Sequence, residues 1–440
     1  MQSPTEQESL KREIGVFPFT LAIINSIVGT GIFMLPAIVA EELGPASLVA
    51  YLVCGVLIFL IALCFAEIGS KVTVSGGTYA YIEAAFGPFA GFIANTIFWV
   101  GSCVVADAAI ANAISDTLKY FFPVLGETVY RYLFFVLLFG LLVLINIRSD
   151  KSGVRFIQVT ALAKLIPLAL LIILGIGHIN MANFNWITSP TISSIGAASL
   201  VLMFAFTGIE TPVTNSGEIK NSKRTIPLGI LFGISAVLIL YIAIQLVTQG
   251  VLGNSLESHK DAPLAAVAGI AFGAAGITIM TVGTTVSMLG GFAGDILAIP
   301  RVLYAGARNG LLPAALARVH PRFFTPHIAI ITYSGLAFLL AVSGGFQELA
   351  ILSGAATLLI YLGVVLATMQ LRRKKYVASE KTFRAPGGWI VPILACGVII
   401  WLLSSLTMAQ LISFLVFLVF ICLVYYIMQE TKKRRKLISS

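Results

Sequence analysis

Charge is scarce in this chain. Only 11% of its 440 residues are Asp, Glu, Lys or Arg, whereas a soluble domain carries roughly 25%. That excludes a solvated globule of this length. Histidine is equally sparse: residues 178, 259, 320 and 327 are scattered near the ends of apolar runs. No His/Asp/Glu cluster has metal-ligand spacing, which argues against a metal centre. The five cysteines (54, 64, 103, 396 and 422) all lie inside apolar runs, and no CxxC pair occurs. A disulfide framework and a thiolate metal site are therefore not expected. No phosphate-binding glycine loop follows a strand, and nothing in the sequence signals catalysis. Short alternating strands are missing too, so a β-barrel is excluded. The opening "MQSPTEQESLKREIG" lacks the basic-then-apolar order of a cleaved leader, so the first apolar run is expected to stay in the protein.

What fills the chain is hydrocarbon. Hydrophobic residues make up 58% of it, and the mean hydropathy is +0.98. Apolar runs of roughly 20 residues recur from end to end, the signature of an all-α polytopic membrane protein. Read between charges and Pro/Gly boundaries they give about twelve spans: 17–40, 46–68, 90–118, 129–147, 156–177, 194–215, 227–251, 270–304, 328–344, 348–370, 389–408 and 411–429. The third and eighth are long enough to tilt or to extend beyond the bilayer. With the N-terminus in the cytoplasm, 24 of the 28 Lys and Arg residues fall in inside segments. Only Lys119, Arg131 and Lys260 fall outside, and Lys164 lies within a span. This bias predicts an integral plasma (inner) membrane protein with both termini cytoplasmic. It also accounts for the net charge of +9 without nucleic acid. The terminal "KKRRK" reads as a topology anchor facing anionic lipid.

The first apolar run contains "NSIVGTGIFMLP", in which Gly29, Gly31 and Pro36 are all helix breakers. Thr-Gly-Ile occurs at 30–32 and again at 207–209, each time followed by a proline, Pro36 or Pro212. Counted from the span starts, both breaks lie roughly 20 Å into the bilayer, near its midplane. The two spans run in opposite directions and are five spans apart. That is the relation expected if spans 1–5 and 6–10 form an inverted repeat. Unpaired backbone in hydrocarbon costs several kcal/mol per group and persists only where it lines a polar cavity or is buried in protein. Paired breaks in matching spans point to a transport site. Freed N–H groups at the positive ends of half-helices suit a carboxylate, and freed carbonyls suit an ammonium or a cation. Together they suit an α-amino acid.

Several stretches carry a resemblance to a known family: "GTGIFMLP", "SGGTYAYIEAAFGPFAGF", "FAFTGIE" with "GEIKNSKRTIP", and "PRVLYAGARNGLLPAALARVHPRFFTPHIAI". With these, the chain resembles the amino acid–polyamine–organocation transporter superfamily, whose fold is the five-plus-five inverted repeat of the leucine transporter with helices 1 and 6 broken. Combined with the apolar runs and the charge bias, this gives a 1–16 cytoplasmic tail, repeats over 17–177 and 194–370, a 371–388 cytoplasmic loop, two further spans over 389–429 and a 430–440 basic tail. It implies a secondary transporter of amino acids or related amines, working by alternating access. The span-1 backbone of Gly29, Thr30 and Gly31 would hold the substrate carboxylate. Carbonyls at Ile27, Phe204 and Thr207, with Gly208 beside them, would hold the amino group. Phe204 stands where arginine–agmatine antiporters carry a tryptophan lid. The same register offers Gly101, Ser102 and Ala106 near the substrate side chain.

Charged residues within spans are functional candidates by default. Lys164 matches the lysine of sodium-independent and proton-coupled members, whose ammonium takes the space that sodium fills in relatives. Its alternative is snorkelling to the cytoplasmic face. Thr284 and Ser287 are the span-8 groups expected to face it. Glu210 follows the second break, either as a coupling acid or as a structural acid bonding freed amides. Asp107 and Asp295 either select a cationic side chain, pair with Lys164, or face another helix. The resulting expectation is a sodium-independent amino acid transporter without a bound cofactor, driven by a proton gradient or by exchange. The alternative is an antiporter of basic amino acids and polyamine-like amines. A channel or membrane sensor fits less well, because the polar breaks converge on one point and no loop is long enough for an output domain. The expected partners are a small-molecule substrate and the lipid bilayer, with the chain a monomer or homodimer.

Overall fold

A computed structural model describes residues 13–72, 77–148, 152–186, 189–213, 219–308, 312–374 and 382–439. The N-terminal tail up to residue 12, the motif residues 75–76, 216–218 and 309–311, and the loop stretch 375–381 lie outside the described residues. Among the described residues no strand forms. The extended contact that does occur is a single parallel bridge between Ile14 and Ile219.

The first apolar run is two helices, α1 (Val16–Ile27) and α2 (Thr30–Leu43). The helix stops because Val28 (ψ 89°) and Gly29 (φ −125°, ψ −152°) leave helical geometry. Pro36 does not contribute to the break: it sits inside α2, where the missing N–H is absorbed without ending the helix. After α3 (Ser47–Lys71) and the short α4 (Gly77–Phe86), the third run begins with α5 (Pro88–Thr96). It passes through a π-helical stretch at Ile97–Val104 and continues as α6 (Val105–Leu118). Wide turns of this kind inside α-helices concentrate at functional sites. Then come α7 (Thr128–Arg148) and α8 (Ser152–Gly175).

The second break separates α9 (Ile192–Phe206) from the single turn α10 (Glu210–Val213). Thr207 is extended there, and Gly208 takes φ +125°, a region closed to side-chain-bearing residues. The chain finishes with α11 (Ser222–Leu252), α12 (Pro263–Arg308), α13 (His327–Ser343), α14 (Phe346–Arg373), α15 (Ile390–Leu403) and α16 (Met408–Ser439). The 46-residue α12 would be about 69 Å long if straight. It bends at Gly273, where φ is +67°.

Seven helical stretches among the described residues are long and apolar enough to cross a membrane, and five shorter apolar helices accompany them. The protein is an all-helical, polytopic integral membrane protein. Burial sorts its helices by neighbour. Every residue of α2 except Glu41 and Glu42 is buried. In contrast, only 6% of the apolar window of α16 and 22% of that of α7 are covered by protein, so lipid covers the rest. Inside, α1 packs on α11, α2 on α9, α3 on α11 and α9, and α12 on α8 and α6. Around the breaks, Ile27, Val28, Thr30 to Ala40 and Ala198 to Phe206 are buried, as unpaired backbone in hydrocarbon requires.

One charged cluster fastens the ends of α3 and α14. Glu67, fully buried, receives Nε of Arg372 at 2.8 Å, Nη2 of Arg372 at 2.5 Å, Nζ of Lys71 at 2.7 Å and the N–H of Ala385 at 2.9 Å. The same guanidinium reaches the carbonyl of Gly388 and lies over the ring of Trp389 at 5.7 Å. Removing Arg372 leaves the buried Glu67 carboxylate with only Lys71 and the Ala385 N–H. Arg372→Met should therefore cost roughly 3–5 kcal/mol, read as a lower melting temperature in detergent, and Glu67→Leu added to it should recover much of the loss. A single variant as stable as the parent would show that the pair carries no such weight.

Candidate functional site

The two breaks face each other, and their backbones touch. A Cβ built on Gly31 would lie 2.6 Å from Cα of Ala205 and 2.7 Å from its Cβ. One built on Gly208 would lie 2.7 Å from the carbonyl oxygen of Ser26. Glycine at these two positions is what lets the second half of span 1 approach the end of α9. Side chains then stitch the breaks together. Oγ of Ser26 donates to the carbonyl of Gly208 at 2.8 Å. The hydroxyl of Tyr241, fully buried on α11, lies 2.9 Å from the carbonyl of Ile27 and 3.0 Å from that of Ala205.

The remaining freed backbone groups find different partners. Lys164 comes from α8, and only 8% of it is exposed. Its Nζ donates to the carbonyls of Asn25 at 2.6 Å and Val28 at 2.8 Å. The ammonium thus sits on the span-1 break instead of reaching toward a membrane face. Glu210 folds back on its own break: its Oε2 accepts the N–H of Gly208 at 3.1 Å and the hydroxyl of Tyr361 at 2.5 Å. Of the two roles open to Glu210, bonding a freed amide is the one this geometry displays. Thr207 donates its hydroxyl to the carbonyl of Phe204 at 2.9 Å.

One group of backbone donors has no such cap. Gly29, the residue before α2, offers no side-chain hydrogen bond to it. The N–H groups of the first turn of α2 therefore point out of the helix start with the positive end of its dipole. Thr30 and Gly31 both line a cavity of about 510 Å³ that opens between the breaks, Lys164 and α12. That volume is of the size that small-molecule sites take.

Most of the candidate residues meet at this cavity. Ile27, Gly29, Thr30, Gly31, Ser102, Ala106, Lys164, Phe204, Thr207, Gly208, Glu210, Ser287 and Asp295 all line it. Gly101 is turned away, with Ala356 and Phe417 over its Cα. Thr284 is buried but does not line the cavity. Asp107 lies behind the wall, fully buried, and accepts the hydroxyl of Tyr333 at 2.8 Å. Ser102 contributes little free hydroxyl, because its Oγ is 2.6 Å from that of Thr357. The ring of Phe204 stacks edge-on against Phe346 at 5.8 Å. Phe98, Cys103 and Ile110 supply apolar wall that sequence reasoning missed. Tyr241, Ser26 and Tyr361 were missed too. For the two tyrosines a signal existed, since a buried phenol usually has a hydrogen-bond partner to find.

The sequence profile of the amino acid permease family matches residues 14–434, nearly the whole chain and both breaks. The chain belongs to the amino acid permease family. Among individual proteins it is 27% identical to the methylthioribose transporter of Bacillus subtilis, over 97% of this chain and 95% of the relative. It is 30% identical to the serine/threonine exchanger SteT of the same organism, covering 93% and 94%. It is also 30% identical to the mouse large neutral amino acids transporter small subunit 2, covering 83% and 71%. Within this permease, contact between the two breaks is open to a direct test. Gly31→Ala should abolish stabilisation by any solute that stabilises the parent, and overpacking should lower its melting temperature by the equivalent of about 1–3 kcal/mol. Tyr241→Phe leaves two carbonyls without their donor and should cost a similar amount, about 1–3 kcal/mol. Full solute response in Gly31→Ala would place the site elsewhere.

Proposed function

We propose that this permease is a sodium-independent transporter of amino acids across the plasma membrane, working by alternating access as a proton symporter or an exchanger. The observation that carries the reading is the pairing at the first break. Uncapped N–H groups at Thr30 and Gly31 stand on one side, and the Lys164 ammonium on the carbonyls of Asn25 and Val28 stands on the other. A carboxylate suits the first. The second fills with a fixed cation a place that would otherwise attract a mobile one, since carbonyl oxygens with no donor in hydrocarbon are costly. The substrate's amino group would turn to the carbonyls around the second break. The family membership and relatives whose names include a serine/threonine exchanger and a large neutral amino acids transporter support an amino acid as cargo.

In this reading the apolar helices make up twelve spans, the first formed by α1 with α2 and the second by α3. The breaks at Val28–Gly29 and Thr207–Gly208 are equivalent points of an inverted repeat, and both termini are cytoplasmic. The cavity reaches Ala22, Asn25, Ala298 and Ile299, which belong to the cytoplasmic halves of spans 1 and 8. The conformation is then inward-facing. A second reading, exchange of basic amino acids or amines, draws on one observation: Asp295 lines the cavity. Lys164 in the same cavity opposes it.

Three measurements in proteoliposomes and on purified protein separate these readings. Replacing sodium by choline should leave amino acid uptake unchanged, and a strong sodium requirement would remove Lys164 from the cation's place. Amines made by decarboxylating the best-bound amino acids should stabilise the purified protein far less than the parents. Equal stabilisation would contradict a carboxylate at Thr30 and Gly31, and preference for arginine or agmatine would favour the second reading. Lys164→Ala should lose uptake, because two buried carbonyls lose a charge-assisted bond each, at about 1.5–3 kcal/mol apiece.

A further inference from the structure

Behind the cavity wall lies a charge arrangement that the substrate site does not use. Asp107, on α6, is fully buried. Its Oδ2 accepts the Tyr333 hydroxyl, while its Oδ1 is buried with no N–H or O–H donor in reach. α12 packs against α6 and brings Asp295 into the neighbourhood of this carboxyl group. Asp295 is half-buried and lines the cavity. The pair therefore has one member open to the cavity and one sealed behind it.

The titratable groups around the pair come from four other parts of the chain. Tyr333 on α13 holds Asp107. Cys103, in the π-helical stretch, is partly buried beside both acids and lines the cavity. Lys164 on α8 and Glu210 on α10 act on Asp295. Glu210 is already served by the Gly208 N–H and the Tyr361 hydroxyl. Lys164 is the one cation among them, and two of its three N–H bonds are committed to the first break. Two neighbouring carboxylates thus have one ammonium near them, and one of the two acids is sealed from the cavity. Like charges held together in such a place are costly, and an oxygen without a donor adds to the cost. A single proton between the carboxyls removes both penalties: it supplies the hydrogen that Oδ1 of Asp107 lacks and lowers the net charge of Lys164, Asp107 and Asp295 from one negative to none.

We propose that Asp107 and Asp295 are a proton-carrying carboxyl pair, loaded and emptied through the cavity-facing Asp295, and that this proton is the one coupled to transport. The proposal rests on the reading above as a proton-coupled transporter. A proton from cavity water binds the pair and is shared between Oδ1 of Asp107 and the Asp295 carboxyl. It leaves by the same route when the cavity faces the other side. No other bond is made or broken. Asp107 and Tyr333 position the proton, and Asp295 exchanges it.

Infrared difference spectra of the purified full chain across a pH titration test the first half. The parent should show a protonated-carboxyl stretch, shifted in heavy water, that disappears in Asp107→Asn and in Asp295→Asn. Asp116→Asn, remote from the pair, should keep it. Melting temperatures check that each variant is folded, and Asp295→Glu, which restores a carboxyl, should bring the band back. A band intact in both asparagine variants, or no such band in the parent, overturns the proposal. The second half is read in vesicles loaded with a pH-sensitive dye and given a mixture of the standard amino acids outside. The parent should acidify the lumen, and Asp295→Asn should fall to the level of empty vesicles. Proton movement undiminished in Asp295→Asn overturns the coupling. A titrating band in a parent that takes up no amino acid would instead refute the transport reading and leave the proton site standing.

Discussion

The constraint on which the rest of this structure depends is the absence of water around unpaired backbone. Two apolar runs are interrupted, after α1 and after α9, and each interruption frees carbonyls and N–H groups that in a soluble protein would turn to solvent. Here each needs a partner brought in from elsewhere in the chain. Lys164 comes from a residue 136 positions beyond the carbonyl of Val28, and Tyr241 comes from 214 positions beyond that of Ile27. Glu210 turns back on its own break. The topology that brings α8 and α11 against α1 is what makes the breaks tolerable.

The same accounting explains why a site exists at all. Most freed groups are satisfied internally, which fixes the shape of both breaks before any ligand arrives. The N–H groups opening α2 are left uncapped, and they line the cavity. A site with every group capped would have no affinity, and one with none capped would not hold its shape in hydrocarbon. The contacts of Ser26 with Gly208, and of Gly31 with Ala205, make the two breaks one mechanical unit.

Much of this was legible in the sequence, and the limits have physical causes. The breaks announced themselves because Gly-Thr-Gly and Thr-Gly-Ile in apolar runs have few structural uses. Their expected depth near the midplane rests on counting residues alone. Their location was less sharp: Pro36 looked like a breaker but is housed within α2, where tertiary packing outweighs local propensity. Lys164 stood out because an isolated charge in an apolar run demands a partner. Tyr241 did not stand out, since a tyrosine in such a run reads as core until its hydroxyl is placed. The π-helical stretch at 97–104 was invisible, because "IFWVGSCV" contains nothing that distinguishes a wider turn from an ordinary one. The wider turn changes the register of side chains along the third span, and Gly101 ends up facing α14 and α16 instead of the cavity. The joining of Glu67 to Arg372 spans 305 residues, beyond any local pattern.

Asp107 and Asp295 show how one ambiguity can be resolved by placement. In sequence each is a lone acid in an apolar span, and selection of a cationic side chain, pairing with Lys164 and facing another helix are all open to it. Once folded, they divide between two environments. Only Asp295 borders the cavity, and there it has Lys164 as a neighbour, so a cationic side chain entering the cavity meets an acid whose charge is already partly answered. Asp107 is out of a substrate's reach, held by Tyr333. An acid that no substrate can touch, with one oxygen bare, has little to do with side-chain recognition. A proton is the one ligand small enough to reach it through its partner. Under the proposed proton pair, the acids would bear more directly on what drives transport than on what is transported, and the apolar wall of Phe98, Cys103 and Ile110 would be left to meet the cargo.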